Sequence, residues 1–408
     1  MKLPALFHNR DYMLLWTGQV VSTLGSSASY VVYPLLILAM TDSPAAAGIA
    51  AALANLPYLI FSLPAGALID RWDRKRVMIN CDIGRALTVA SIAIALWLDV
   101  LTVWQLYIAA FVEGTFFVFF NIAEVAALPR VVAKEQLPQA SAQNEAAFAA
   151  AQIVGPSVGT LLYQTLGRAA PFVADAISYV ASVVSLRLIR TPFRAAPTAA
   201  KSNLRGEIAQ GLRWLWRQPL IRYMAFLTGS INLVNAGTGL IVIVLAQNLG
   251  ARPVDIGLIF SIGGIGGILG SLVGGQVQKR FTFGQAIIAL MWIEALLFPV
   301  YAMVPQYLLL GVVFALLYFI GPIYNVVQFS YRLALIPDAL QGRVNSTFRL
   351  LAFGMMPIGA ALSGFLIERT GVIAAVVVFS LWYVILAIMT TLNRHVRAAR
   401  PLGELASV

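Results

Sequence analysis

Apolar stretches of about 20 residues recur along the whole chain, and this limits its possible folds more than any other feature. An α-helix rises about 1.5 Å per residue, so about 20 residues cross a hydrocarbon core about 30 Å thick. The stretches fall at 12–40, 45–69, 77–98, 104–128, 142–166, 171–190, 222–247, 255–278, 284–303, 306–332, 345–367 and 372–393. A soluble core has no room for so many apolar helices. The composition agrees: 60% of the residues are hydrophobic and 11% charged, against roughly 25% charged in soluble domains. The reading is an all-α integral membrane protein with twelve transmembrane helices, since a helix satisfies its own backbone polar groups in lipid.

Charge placement sets the orientation. The net charge of +11 would be compatible with a nucleic-acid partner, but the positions exclude one. Of the 28 Lys and Arg residues, only Arg168, Arg252 and Arg369 fall in loops on one side of the twelve spans. The rest share the other side, which the positive-inside rule makes cytoplasmic, with both termini there. The first apolar run, from Tyr12, is too long for a signal peptide and lacks a small-residue cleavage pattern, so it reads as the first span. Cys81 is the sole cysteine, and His8 and His395 lie outside the spans, which leaves no donor set for a metal.

The chain divides into an N-terminal six-helix half (1–190), a cytoplasmic linker (191–221), a C-terminal six-helix half (222–394) and a cytoplasmic tail (395–408). In the linker Leu204, Ile208, Leu212, Leu215 and Trp216 recur at helical spacing, with Arg205, Glu207, Gln210, Arg213 and Arg217 between them. That pattern predicts a basic amphipathic helix on the cytoplasmic leaflet, or alternatively one packed on the bundle's own cytoplasmic face. The halves echo each other. Gly66 to Arg71 ends the second span, and Gly275 to Arg280 ends the eighth, 209 positions later. Leu128-Pro129 and Ile336-Pro337 are 208 apart, Gly159 and Gly364 205 apart. A near-constant offset means two parallel six-span repeats, an architecture of transporters that bind solute between the repeats near midplane.

The run Gly66-Ala67-Leu68-Ile69-Asp70-Arg71-Trp72-Asp73-Arg74-Lys75-Arg76 resembles the signature Gly-x-Leu-x-Asp-Arg-x-Gly-Arg-Lys of the major facilitator superfamily, with Asp73 in place of its Gly. The Asp-Arg-Trp-Asp-Arg variant is similar to the macrolide-efflux and enterobactin-exporter-like drug:proton antiporters. So are Leu128-Pro129-Arg130, Gly155-Pro156-Ser157-Val158-Gly159, Gly211 to Trp216 and Ile336-Pro337-Asp338. The resemblance implies a twelve-helix exporter that works by alternating access. Two departures stand out. Ser26 follows Leu24-Gly25 where the subgroup often has Asp, and the fourth span has no Arg where other antiporters carry one.

Within this frame Gly66, Asp70, Arg71, Arg74, Glu124 and Arg343 form an expected cytoplasmic latch. Its Asp70 carboxylate would meet the positive N-terminus of the eleventh helix, and Arg74 would bridge to Glu124. Gly155, Pro156 and Gly159 resemble an antiporter kink, with Ala151 and Thr160 replacing its outer glycines. Ionisable residues inside spans are costly and usually functional. Glu113, near the middle of the fourth span, is the first candidate for a proton carrier or a cation contact, followed by Asp175 and Glu294. Asp82 and Arg85, three apart on one helix, read as a structural pair. The expected lining is aromatic and lightly polar: Gln19, Tyr30 and Tyr33 on the first span; Phe116, Phe117, Phe120 and Asn121 on the fourth. On the seventh and tenth spans it is Asn232, Asn235, Tyr318, Tyr324, Asn325 and Gln328. Few charges and many rings suit bulky apolar or cationic solutes.

No Gly-Lys-Ser/Thr phosphate loop is present, which argues against an ATP-driven pump. No His-Glu-x-x-His or Ser/His/Asp grouping marks an enzyme. The expectation is a monomeric, cofactor-free secondary transporter in the cytoplasmic membrane. Its partners would be a small-molecule substrate, protons and the lipid bilayer, with no nucleic acid. Export of a siderophore or another endogenous metabolite, uptake, and a receptor on a transporter fold are the rival readings.

Overall fold

The computed structural model describes residues 5–69, 71–193, 204–337 and 340–399. Asp70, the stretch 194–203 and the tail beyond residue 399 lie outside the described residues. Among the described residues every regular element is helical. The helices are α1 (Arg10–Thr41), α2 (Pro44–Ile69), α3 (Arg74–Trp97), α4 (Val103–Val131), α5 (Leu137–Thr165), α6 (Ala170–Leu188) and α7 (Leu204–Arg217). They continue with α8 (Pro219–Asn248), α9 (Pro253–Arg280), α10 (Phe283–Leu297), α11 (Tyr307–Leu335), α12 (Gln341–Phe353), α13 (Met355–Thr370) and α14 (Val372–Leu392), before the single turn α15 (Arg394–Arg397).

Among the described residues twelve segments are long and apolar enough to cross a membrane, as the sequence predicts. Nine are single helices, and a 3-10 turn over Lys134–Gln136 leads into α5. A 3-10 turn over Phe298–Met303 extends α10, and the eleventh span is divided into α12 and α13 at Gly354. The chain reverses where residues accept positive φ: Asp42 (51°), Gly167 (97°), Gly250 (81°) and Gly371 (85°). Asp73, the departure from the superfamily signature, caps α3, and its carboxylate accepts from the Lys75 and Arg76 amides.

The chain forms two compact units. One comprises Met1–Ala199 and Arg252–Ser261, the other Ala200–Ala251 and Ile262–Val408, so the first turns of α9 belong to the first unit. Inside the first unit α1 packs on α5 and α6, α2 on α4, and α3 on α4 and α6. Inside the second, α8 packs on α13 and α14, and α10 on α11 and α14. The pairings of α1 with α5 and α6 and of α3 with α4 and α6 recur as those of α8 with α13 and α14 and of α10 with α11 and α14.

Close backbone approach explains two of the glycines. A Cβ on Gly159 would run into Ala28, only 2.8 Å from its Cα, and a Cβ on Gly359 would be 2.7 Å from the Leu233 Cα. Each glycine therefore lets the fifth span of its repeat lie against the carbonyl edge of the first. The counterpart of Gly159 is Gly359, not the Gly364 to which a constant offset points. The run from Pro337 to Gly359 is shorter than that from Pro129 to Gly159, so one offset does not hold across it.

Helix α7 meets its own unit on one face. Leu215 is fully buried. A Cβ on Gly211 would lie 2.7 Å from Thr347 Oγ1, and Arg343 Nη1 donates to Gln210 Oε1 at 2.5 Å. Leu212 and Trp216 remain exposed.

Candidate functional site

Four helices of the first unit bring polar side chains together inside an otherwise apolar bundle. Helix α3 supplies Asp82 and Arg85, α4 supplies Glu113, α6 supplies Asp175, Ser178 and Tyr179, and α1 supplies Ser22, Gly25 and Ser26. Asp82 and Asp175 are fully buried, and Arg85 retains 6% exposure. At the centre is the Arg85 guanidinium. Nη1 is 3.9 Å from Asp82 Oδ1, and Nη2 is 4.0 Å from Glu113 Oε1 and donates to Ser26 Oγ at 3.3 Å. Its carbon stacks 4.2 Å from the centre of the Tyr179 ring and 5.7 Å from that of Phe117. A cation held between carboxylates and ring faces keeps its charge at less desolvation cost than one held by rings alone.

A line of oxygens runs through the cluster. Tyr179 Oη donates to Glu113 Oε1 at 3.1 Å and lies 2.8 Å from Ser26 Oγ, which in turn is 2.8 Å from the Ser22 carbonyl. These are three contacts, and the two hydroxyls own one proton each. With Glu113 ionised, Tyr179 donates to it and Ser26 donates to Tyr179, leaving the Ser22 carbonyl to its helix. With Glu113 protonated, a third proton enters and all three contacts are filled at once. The arrangement accommodates both protonation states of Glu113 by turning two hydroxyls, and Arg85 is the counter-charge of the ionised one.

Asp175 sits one turn before Tyr179 on α6. Its Oδ1 accepts from Ser178 Oγ at 3.3 Å, and its Oδ2 is buried without a hydrogen-bond partner. A Cβ on Gly25 would lie 2.8 Å from Asp175 Oδ1, so the glycine before Ser26 makes room for this carboxylate. Three buried or half-buried carboxylates, Asp82, Glu113 and Asp175, thus share the cluster with Arg85.

The other sequence candidates are distributed as follows. Glu294, on α10 of the second unit, is 5% exposed, and its Oε2 has no hydrogen-bond partner. One turn on, Phe298 packs against Tyr301 and Tyr383. Among the lining candidates, Tyr30, Phe117, Tyr318 and Asn325 are exposed. Phe120, Tyr324 and Gln328 are buried within their own units, and Tyr324 Oη pairs with Thr228 Oγ1 at 2.8 Å. Tyr33 donates to the Leu106 carbonyl at 2.9 Å, Asn232 to the Ala352 carbonyl at 2.9 Å, and Tyr383 donates to Asn235 Oδ1 at 3.2 Å. The Phe116 ring covers Gly84, while Gln19 and Asn121 are half-buried. In α5, Gly155 lies against Ser27 and Pro156 is buried in mid-helix.

Of the latch residues, Asp70 lies outside the described set. Gly66 borders open space, and Arg71 is exposed. Arg74 Nη1 donates to the Ala126 carbonyl at 2.8 Å, two residues along α4 from the half-buried Glu124.

Sequence reasoning singled out Glu113 and Asp175 and noted Ser26 as a departure from the subgroup pattern, but it missed Tyr179 and read Asp82–Arg85 as a self-contained pair. One signal was available: Tyr179 follows Asp175 by four and shares its helix face. The meeting of α1, α3, α4 and α6 was not visible.

The chain is 28% identical to multidrug efflux pump Tap of Mycolicibacterium fortuitum over 94% of this chain and 96% of that protein. It is 27% identical to macrolide efflux protein A of Streptococcus pyogenes, covering 88% and 90%. Against enterobactin exporter EntS of Shigella boydii the identity is 23%, covering 89% and 87%. Its fold is similar to that of the nucleoside transporter NupG, with a TM-score of 0.74 at 15% identity over 96% of this chain and 100% of that one. Residues 4–403 match the family described as transmembrane secretion effector, and the chain belongs to that family within the major facilitator superfamily of membrane transporters.

Proposed function

We propose that the protein is a proton-coupled exporter of small, largely apolar or cationic compounds, acting as a monomer in the cytoplasmic membrane with both termini on the cytoplasmic side. Glu113 is the proton carrier, Arg85 its counter-charge, and Tyr179 with Ser26 the hydroxyl pair that follows its protonation. Asp175 is a second carboxylate available to the same cluster.

The observation that carries this reading is the oxygen line from Glu113 through Tyr179 to Ser26, with Arg85 Nη2 beside both ends. A group that must load and release a proton during a transport cycle needs partners for both of its states. Here they are the guanidinium for the carboxylate and the hydroxyl line for the acid. Ser26 stands where relatives of this kind often carry Asp, so the carboxylate on α4 takes over the acidic role next to the same α1 position. The exposed rings of Tyr30, Phe117 and Tyr318 and the scarcity of charge in the spans suit apolar or cationic solutes. The names of the multidrug and macrolide relatives support the same class and an outward direction. The enterobactin exporter among the relatives favours a second reading, export of an endogenous siderophore-like metabolite.

The test is substrate flux in proteoliposomes with and without an imposed pH gradient, using a cationic dye, a macrolide and a catecholate siderophore as probes. Dye or macrolide flux that rises with the gradient is the expected result. Flux indifferent to the gradient would end the proton-coupled reading. Movement of the siderophore alone would select the second.

A further inference from the structure

Helix α7 has an outer face that its own unit leaves uncovered. Around an open depression of ≈ 600 Å³ stand Ala209, Leu212, Arg213, Trp216 and Arg217. Trp216 is 60% and Leu212 41% exposed. Arg222, in the first turn of α8, stacks 5.6 Å from the centre of the Trp216 ring and donates to the Trp216 carbonyl at 3.1 Å. This holds the ring in place from the side of the span. From 204 to 222 the one acidic residue is Glu207, so the outer face is strongly basic.

Position supplies the occupant. Only Gln218 separates α7 from α8, and α8 is a membrane span 30 residues long. The C-terminal end of α7 is therefore tied to the boundary of the bilayer. A face that offers a tryptophan, a leucine and three arginines at that depth meets the zone where headgroup phosphates lie above acyl chains. Tryptophan prefers this zone, and arginine pairs well with phosphate there. We propose that the outer face of α7 binds anionic phospholipid of the adjacent leaflet. Arg213 and Arg217 hold headgroup phosphates, and Leu212 and Trp216 enter the upper acyl region. The inner face is held by Leu215, Gly211 and the Gln210–Arg343 hydrogen bond to α12. A bound lipid thus stiffens the cytoplasmic half of the divided eleventh span.

The experiment uses the full chain in lipid nanodiscs of phosphatidylcholine, with and without phosphatidylglycerol. Cys81, the one cysteine, is buried, so Leu212→Cys gives a single reactive site for an environment-sensitive fluorophore. The expected result is a blue shift in the anionic discs that is reversed by salt and unaffected by soluble glycerol phosphate. In native mass spectrometry the wild type should retain phosphatidylglycerol over phosphatidylcholine. The double variant Arg213→Gln, Arg217→Gln should lose that preference by about 25-fold, at about fivefold per arginine. Three outcomes would overturn the proposal: a probe indifferent to lipid charge, a double variant that retains phosphatidylglycerol like the wild type, or cross-linking of the introduced thiol to its twin in a second copy. The last would make the face an interface between copies.

Discussion

Glu113 is half-buried on α4 and touches both Arg85 and Tyr179, and this pairing of contacts sets what each substitution should do. Glu113→Gln keeps the shape and a donor for Tyr179 but has no ionised state. Binding of a transported dye should stay within about tenfold, ~1.4 kcal/mol, of the wild type. Flux driven by a pH gradient should fall to the level seen without one. Stopped-flow dye efflux from proteoliposomes, paired with equilibrium binding, separates the two effects. Tyr179→Phe removes the hydroxyl and keeps the ring over Arg85. A hydrogen bond to a charged group contributes about 1.5–3 kcal/mol, so gradient-driven flux should fall by about tenfold or more while dye binding persists. A Tyr179→Phe protein with wild-type coupling would remove the hydroxyl line from the mechanism. Arg85→Gln leaves three carboxylates without their one cation. It should cost more stability than either substitution, about 3–5 kcal/mol for the loss of one partner of a buried pair. Thermal unfolding in detergent would register this.

At the scale of elements, close helix contact is set by glycine. Gly159 on α5 meets the Ala28 carbonyl edge of α1, and Gly359 on α13 meets that of Leu233 on α8. Both neighbours are backbone and have no rotamer into which to retreat. Gly159→Val and Gly359→Val should each destabilise by about 1–3 kcal/mol, as overpacking does, visible as a lower unfolding temperature. Gly66→Ala, where a Cβ meets open space, should leave that temperature unchanged and is the control. A Gly359→Val protein as stable as the control would contradict the close packing of α13 on α8. The divided eleventh span belongs to the same scale. In the first repeat α5 runs unbroken from Leu137 to Thr165, whereas its counterpart is α12 and α13 with Gly354 between them.

For the molecule as a whole, the proposed orientation rests on loop charge, and labelling tests it. Cys81 is buried, so single introduced cysteines report cleanly. Arg168→Cys should react with a membrane-impermeant maleimide in intact cells, and Lys134→Cys only after the cells are opened. The reverse pattern would invert the topology. The twelve spans and the superfamily were legible in the sequence because both are written in contiguous residues. A span is a run of apolar side chains long enough to cross lipid, and the signature from Gly66 to Arg76 is one contiguous run from the end of α2 to the start of α3. Glu113 could be singled out for a similar reason, since a carboxylate in an apolar run is conspicuous by itself. Its partners were not legible. Ser26, Arg85, Glu113 and Tyr179 lie on α1, α3, α4 and α6, and no local pattern states which faces of four apolar helices turn toward one another. The sequence likewise did not show that Asp82 and Arg85, correctly seen as neighbours on one helix, belong to a larger group. It determined which residues enter the membrane and which of them carry charge. Only the packing of α1 on α6 and of α3 on α4 and α6 decided which of those charges and hydroxyls come within reach of one another, because hydrogen bonding depends on distances of about 3 Å between helices remote in the chain.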